Sequence, residues 1–378
     1  MDSKNIQQLN FENIDSNPIS NSSIIINKNR FLDVLKEIVV QKDINIVKKK
    51  VFNIKDILTQ FKPDNLGLLN NDIDGDTISF RKDILETELH QVLESQTLER
   101  AIYYLNRLEK SIQKFKTNKI NDINLHRWKE YDDIITDSLW ILNKRDNSGA
   151  HLAWYWGNFI PQIPNQLMRR FTKKGNWVLD TFAGSGTTLI ECRKLGRNGI
   201  GIELNQEVSA LSEKLIEKEK NKYNVVSDLV VGDSRIVDLK LILNKYNISK
   251  VQLIIMHPPY FDIIKFSDNE DDLSNSKDVD TFLKNFGEVV DNTKPYLEKG
   301  RYLALVIGDK YSKGEWIPLG FYCMQEVLKR DFLLKSIIVK NFDETRGKRN
   351  QVDLWRYRAL VGGFYIFKHE YIMLFQKK

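Results

Sequence analysis

Cysteine, histidine and long apolar runs are what this sequence has least of. Two cysteines, Cys192 and Cys323, stand in 378 residues. They exclude a disulfide framework and a cysteine-ligated zinc site, and they fit a reducing compartment. The five histidines are scattered without metal-ligand spacing, so no metal is expected. No apolar run approaches the roughly 20 residues that span a bilayer. The opening "MDSKNIQQLNFENIDSNPIS" lacks the basic-then-apolar order of a signal peptide. No membrane partner is expected, and the expected location is the cytoplasm. An excess of one sign of charge is also lacking: 57 Lys and Arg against 51 Asp and Glu leave a net value of +6, only a mild lean toward anionic partners.

What is present divides the chain into three parts. Residues 1–30, rich in Asn, Ser and isolated Ile, read as a flexible tail. Residues 31–135 carry two stretches of helical apolar spacing, "RFLDVLKEIVVQKDINIVKKKVFNIKDILTQFK" and "FRKDILETELHQVLESQTLERAIYYLNRLEKSIQKFK". They predict a helical N-terminal region. From Asn176 the texture changes to short β-rich runs alternating with helical ones. The strands expected are 176–182, 198–204, 227–233, 251–257, 301–309, 333–342 and 370–377. Alternation of this kind predicts an α/β doubly wound sheet of Rossmann-like type. The seventh strand follows the sixth without a helix of its own length, which suits an antiparallel insertion.

The strongest local signal is "VLDTFAGSGTTLIE" at 178–191. A strand ends in Asp180, a glycine turn runs through Thr181, Phe182, Ala183, Gly184, Ser185 and Gly186, and a helix opens at Thr187-Thr188. Glycines at a strand-to-helix turn allow a ligand to approach the backbone closely. The turn lacks the third glycine of a dinucleotide fingerprint and the lysine of a Walker loop, so neither cofactor class is favoured. The second strand ends in Glu203-Leu204 and the third in Asp233-Ser234. An acidic residue about twenty positions after the turn suits ribose hydroxyls, and Asp233 suits an adenine amino group. Either carboxylate alone could simply cap a helix.

With these residues the sequence resembles the DNA amino-methyltransferases, which modify adenine N6 or cytosine N4. "DTFAGSGTT" looks like that family's S-adenosylmethionine loop. "GNFIPQIPNQLMRRF" looks like its other cofactor segment, which implies that Phe159, Ile160, Pro161, Gln162 and Pro164 contact the methionine part. The resemblance is carried by residues 136–378, including "TDSLW", and implies a seven-stranded methyltransferase sheet with its last strand antiparallel. It also implies S-adenosyl-L-methionine as cofactor, double-stranded DNA as partner, a nucleoid-associated location and a paired restriction endonuclease.

The fourth strand delivers His257-Pro258-Pro259-Tyr260. The family carries Asp, Asn or Ser ahead of Pro-Pro and an aromatic. An exocyclic amino group is a poor nucleophile because its lone pair is delocalised into the ring. Two acceptors on its hydrogens draw that lone pair out: the first residue's side chain and the Pro258 carbonyl. Proline fixes the backbone, and Tyr260 offers a face on which an extruded base stacks. His257 departs from the family pattern. A neutral imidazole still has one acceptor nitrogen, so acidic pH should abolish activity; alternatively, His257 points away and only the proline carbonyl acts. Its presence removes the family's hint to the base, and adenine N6 is slightly favoured.

The insert at 342–366 interleaves Arg346, Lys348, Arg349, Arg356 and Arg358 with Trp355 and Tyr357. It is expected to contact DNA, or else to be an ordinary solvated loop. "FDIIKFSDNEDDLSNS" (261–276) is acidic and is expected to form a flap over the site. An RNA or protein amide methyltransferase, or a non-catalytic DNA-binding protein that kept the fold, are the competing expectations.

Overall fold

The computed structural model describes residues 23–60, 63–69, 76–341 and 352–378. They form two compact units, one taking residues to Lys116 with Asn124–Tyr131 and the other taking Thr117–Ile123 with Asp132–Lys378. Among the described residues no helix is long and apolar enough to cross a membrane.

The first unit holds strand β1 (Ser23–Asn27), helices α1 (Lys28–Val39) and α2 (Ile44–Gln60), strand β2 (Thr77–Arg81), and helices α3 (Lys82–Leu93) and α4 (Leu98–Gln113). The Asn27 side chain caps α1 by accepting the Arg30 N–H, and Thr97 caps α4 in the same way. Phe31, Leu32, Leu35 and Ile38 recur at helical spacing and are all buried. The helical expectation therefore holds for this stretch, with one addition. Residues 23–30, expected as tail, form β1 and the first turn of α1, because the β-branched run Ile24-Ile25-Ile26 pairs antiparallel with β2.

The second unit is built on one sheet. Its elements are β3 (Leu139–Trp140), α5 (Gln162–Phe171), β4 (Trp177–Asp180), α6 (Thr187–Leu195), β5 (Asn198–Glu203), α7 (Gln206–Lys218), β6 (Ser227–Val231), α8 (Leu239–Asn244) and β7 (Val251–Met256). There follow α9 (Val279–Thr293), β8 (Leu297–Ile307), the small hairpin β9 (Lys310–Ser312) and β10 (Glu315–Ile317), α10 (Leu319–Leu328), β11 (Phe332–Asn341), α11 (Val352–Gly362) and β12 (His369–Lys377). The large sheet has the order β3-β11-β12-β8-β7-β4-β5-β6. β12 runs antiparallel to both of its neighbours, and the strands from β8 across to β6 are parallel. All seven expected strands are present, and the last is antiparallel as expected.

Two features differ from the expectation. An eighth strand, the two-residue β3 in "TDSLW", extends the edge beside β11. The link from β11 to β12 contains α11, eleven residues long, where no helix was expected. None of its residues is buried, so its sequence carries no one-sided apolar stripe to announce it.

Helices cover both faces of the sheet. One core packs α9 and α10 against β7, β8 and β12, and another packs α5 against the opposite face. This is why β7 reads as a nearly unbroken apolar run: Val251 and Leu253 to Met256 are all fully buried. The chain winds from β4 outward to β5 and β6, then returns to β7 on the other side of β4. In such sheets ligands bind beyond the carboxyl ends of the strands at this reversal.

Candidate active site

Beyond the reversal lies a cavity of about 950 Å³, at the upper end of the range for ligand pockets. Three strand ends build its floor. β4 runs into the glycine turn, in which Gly184 and Gly186 have φ of +49° and +74°. Those left-handed values suit glycine. A Cβ at Gly184 would lie 3.1 Å from the Tyr155 ring, so the absence of a side chain lets that ring close over the turn.

β5 brings Glu203 to the turn. Its Oε2 accepts the Gly184 N–H at 2.8 Å and its Oε1 accepts the Asn205 N–H at 2.9 Å. Burial raises its pKa, and those two amides pull the other way. β6 brings Asp233, whose carboxylate pairs with Arg235 at 2.6 Å, and Arg235 reaches on to Asp271 at 2.7 Å. The Ser234 hydroxyl donates to the Thr181 carbonyl at 2.6 Å and ties β6 to the turn.

Of the residues expected to hold a cofactor, Phe159, Ile160, Thr181, Phe182, Ala183, Gly184, Ser185, Thr187, Glu203, Leu204, Asp233 and Ser234 line the cavity. Pro161, Gln162, Pro164, Asp180, Gly186 and Thr188 do not. Gln162 instead accepts the Asp146 N–H and donates to the Lys144 carbonyl, holding the preceding loop. Asp180 lies beneath the turn, 1% exposed, and accepts the Phe182 N–H at 2.9 Å. Burial pushes its carboxyl up to about 6. Tyr155 and Asn158 also line the cavity, and the sequence did not single them out. Asn158 stands in "GNF" at the head of the cofactor segment but matches no residue type that marks a role. Its Oδ1 accepts the Thr187 hydroxyl at 2.8 Å, joining that segment to the turn.

β7 ends in the Pro-Pro loop, and His257, Pro258, Pro259 and Tyr260 all border the same cavity. Phe159 packs on the His257 ring with centroids 4.8 Å apart. Burial pushes the imidazole down to about 4, the Glu370 charge opposing and the Lys340 charge adding to the effect. His257 is thus neutral at neutral pH. Tyr260 Oη donates to Glu370 Oε2 at 2.8 Å, and its ring lies against Gly308. Residues of the acidic segment, among them Ile263, Phe266 and Asp272, line the cavity as well.

Of the expected DNA contacts, Arg346, Lys348 and Arg349 lie outside the described residues. Trp355 lines the cavity from α11, with the Arg358 guanidinium 5.2 Å from its ring centroid. Arg356 and Arg358 are exposed. Among the described residues no group of three or more His, Cys, Asp or Glu could hold a metal.

The parallel order broken by one antiparallel strand, with a glycine turn and a Pro-Pro loop at the reversal, defines a Rossmann-like methyltransferase fold. The chain belongs to the DNA methylase family of N6/N4 methyltransferases, whose model matches residues 11–214 and 251–378. This match reaches well upstream of the 136–378 stretch whose motifs carry the resemblance. The type II methyltransferase M.MjaII of Methanocaldococcus jannaschii is 30% identical over 105 residues, 25% of this chain and 20% of that protein. A tRNA (guanine(10)-N2)-dimethyltransferase of the same organism is 34% identical over 116 residues, 29% of this chain and 31% of that one. A methyltransferase structure from Pyrococcus furiosus aligns with a TM-score of 0.38 at 15% identity, over 60% of this chain and 87% of its own. The chain thus spans only about a fifth and a third of the lengths of these two curated relatives.

Proposed function

We propose that the protein is a site-specific DNA methyltransferase acting on the exocyclic amino group of an extruded base. The observation that carries this reading is the shared cavity: a glycine turn with two strand-end carboxylates and a Pro-Pro loop headed by a neutral imidazole. Family membership and the type II methyltransferase relatives support it.

The residues fit S-adenosylmethionine. Asn158 Nδ2 and Thr181 Oγ1 are buried, belong to residues on the cavity wall, and have no hydrogen-bond partner in the protein. Buried polar atoms without partners are costly, and a ligand with acceptor groups relieves them. Glu203 and Asp233 stand at successive strand ends for ribose and adenine. Bound there, the cofactor supplies an electrophilic methyl carbon, which the base nitrogen takes as the carbon–sulfur bond breaks to leave a thioether.

The rest is positioning by this chain. Pro258 presents its carbonyl and His257 its ring acceptor to the two amino hydrogens, directing the nitrogen lone pair out of the ring system. As the nitrogen–carbon bond forms, the nitrogen becomes cationic and its proton passes to the His257 acceptor. An aromatic ammonium is strongly acidic, so an imidazole held at about 4 is still basic enough. Adenine N6 is the first product to test and cytosine N4 the second. Pairing with a restriction endonuclease, implied by the family resemblance, is part of this proposal, and the similarity to type II methyltransferases supports it.

The similarity to a tRNA guanine-N2 methyltransferase favours one second reading, an RNA substrate. Label transfer from methyl-tritiated S-adenosylmethionine tests both. Double-stranded DNA should accept label at least about tenfold faster than tRNA. The reverse preference would establish the RNA reading, and no binding of the cofactor in calorimetry would leave a non-catalytic protein.

A further inference from the structure

The polar groups behind the Pro-Pro loop form a chain. His257 Nε2 lies 3.3 Å from Tyr260 Oη, that oxygen lies 2.8 Å from Glu370 Oε2, and Glu370 Oε1 lies 3.0 Å from Lys340 Nζ. Lys340 and Glu370 are register partners on β11 and β12, so the sheet itself holds the ion pair. Both are buried, at 5% and 8% exposed.

The direction of each hydrogen bond follows from what each group has to give. Burial works to neutralise Glu370, but the Lys340 charge, with the hydrogen bonds from Lys340 and Tyr260, holds its carboxyl below the ordinary range. Burial and the Glu370 charge push the Tyr260 phenol well up. Glu370 therefore stays a carboxylate, which only accepts, and Tyr260 keeps its single proton, which goes to Glu370. The Tyr260 oxygen is left with lone pairs for His257. A neutral imidazole has one N–H and one lone pair. The nitrogen facing Tyr260, Nε2, must carry the proton, and Nδ1 keeps the lone pair.

We infer that Glu370 is a positioning residue. Acting through Tyr260, it fixes His257 in the Nε2-protonated tautomer and leaves Nδ1 as the acceptor that the Pro-Pro loop offers. The inference rests on the proposed role of His257 as acceptor for the amino group. It also accounts for what a histidine at this position requires. A carboxylate or carboxamide oxygen accepts whatever its neighbours do, whereas an imidazole accepts only at the nitrogen without hydrogen. Phe159, packed on the ring, restrains it from turning over.

The test is the nitrogen-15 spectrum of the full chain labelled at histidine, with two-bond proton correlations that distinguish protonated from bare ring nitrogens. Comparison with His257→Asn identifies the His257 signals among those of the five histidines. In the native protein at pH 7 Nε2 should be protonated and Nδ1 bare. Tyr260→Phe keeps the ring and removes the acceptor. Glu370→Gln lets the amide donate to the phenol oxygen and frees the phenol proton for Nε2. Both variants should raise the Nδ1-protonated population by roughly 2–10-fold, the size that one hydrogen bond supports. Turnover should fall only in proportion to the Nε2-protonated fraction that is lost, with KM values within about twofold. A native protein protonated at Nδ1, or both variants keeping the native tautomer, would overturn the inference. The spectrum requires no turnover, so it decides the tautomer whether or not DNA is methylated.

Discussion

His257 is the residue on which the proposed chemistry turns, and its environment changes the pH dependence that its identity alone implies. A free imidazole titrates near 6.5, but burial holds this one down to about 4. Tyr260, Glu370, Lys340 and the Phe159 ring are the groups that face it. The acceptor is lost only on protonation, so kcat/KM should stay level from pH 7 to about 5 and fall near 4. An acid limb centred on 6.5 would contradict the burial argument. His257→Ala should lower kcat by about 10²–10⁴-fold, the range of a positioned proton acceptor. His257→Asn should recover part of that loss and abolish the limb, because a carboxamide oxygen does not titrate. Of this network only His257 and Tyr260 were legible in the sequence. Glu370 is 110 residues from Tyr260, and nothing within "HEYIMLF" distinguishes a strand carboxylate that faces a site from one that faces water.

At the scale of elements, the glycine turn depends on how closely α6 approaches β5. A Cβ at Gly201 would lie 2.9 Å from Leu189 and 3.0 Å from both Ala183 and Leu229. Gly201→Val overpacks this seam at a cost of about 1–3 kcal/mol. It displaces the turn, so calorimetry with S-adenosylhomocysteine should show affinity lowered by about tenfold or more. Unchanged affinity would separate the seam from the site. The strands of this half were legible because each is a short run bounded by turn residues. β3 was not, since two residues carry no period. α11 was not, since its exposed Leu354, Tyr357, Leu360 and Val361 leave it without a single apolar face. Its exposed Arg356 and Arg358 are the described candidates for binding phosphate. Alanine at both should reduce the slope of log affinity for DNA against log salt by about one for each phosphate no longer neutralised. An unchanged slope would make α11 a solvated helix with no part in binding.

Across the whole molecule, buried titratable groups make opposite demands on stability. The folded pKa of His257 is depressed, so the stability present above 6.5 is lost as pH falls through about 4. Asp180 is raised from 3.8 to about 6, so its burial opposes folding at neutral pH. That penalty is relieved as pH falls from 6 toward 3.8. The two partly cancel between pH 6 and 4, so the acid limb of activity reports His257 where the melting temperature does not. The fold was legible because the sheet's alternation is written in local sequence. The site was half legible: the glycine turn and Pro-Pro loop are contiguous motifs, while the groups that orient them come from distant strands. The most direct test of the central claim is to incubate DNA with the protein and S-adenosylmethionine, digest it to nucleosides and analyse them by mass spectrometry. The account predicts a methylated exocyclic amine, N6-methyladenine first and N4-methylcytosine second, reduced about 10²–10⁴-fold with His257→Ala. Unmodified nucleosides from DNA of diverse sequence, treated with protein that binds the cofactor, would contradict it.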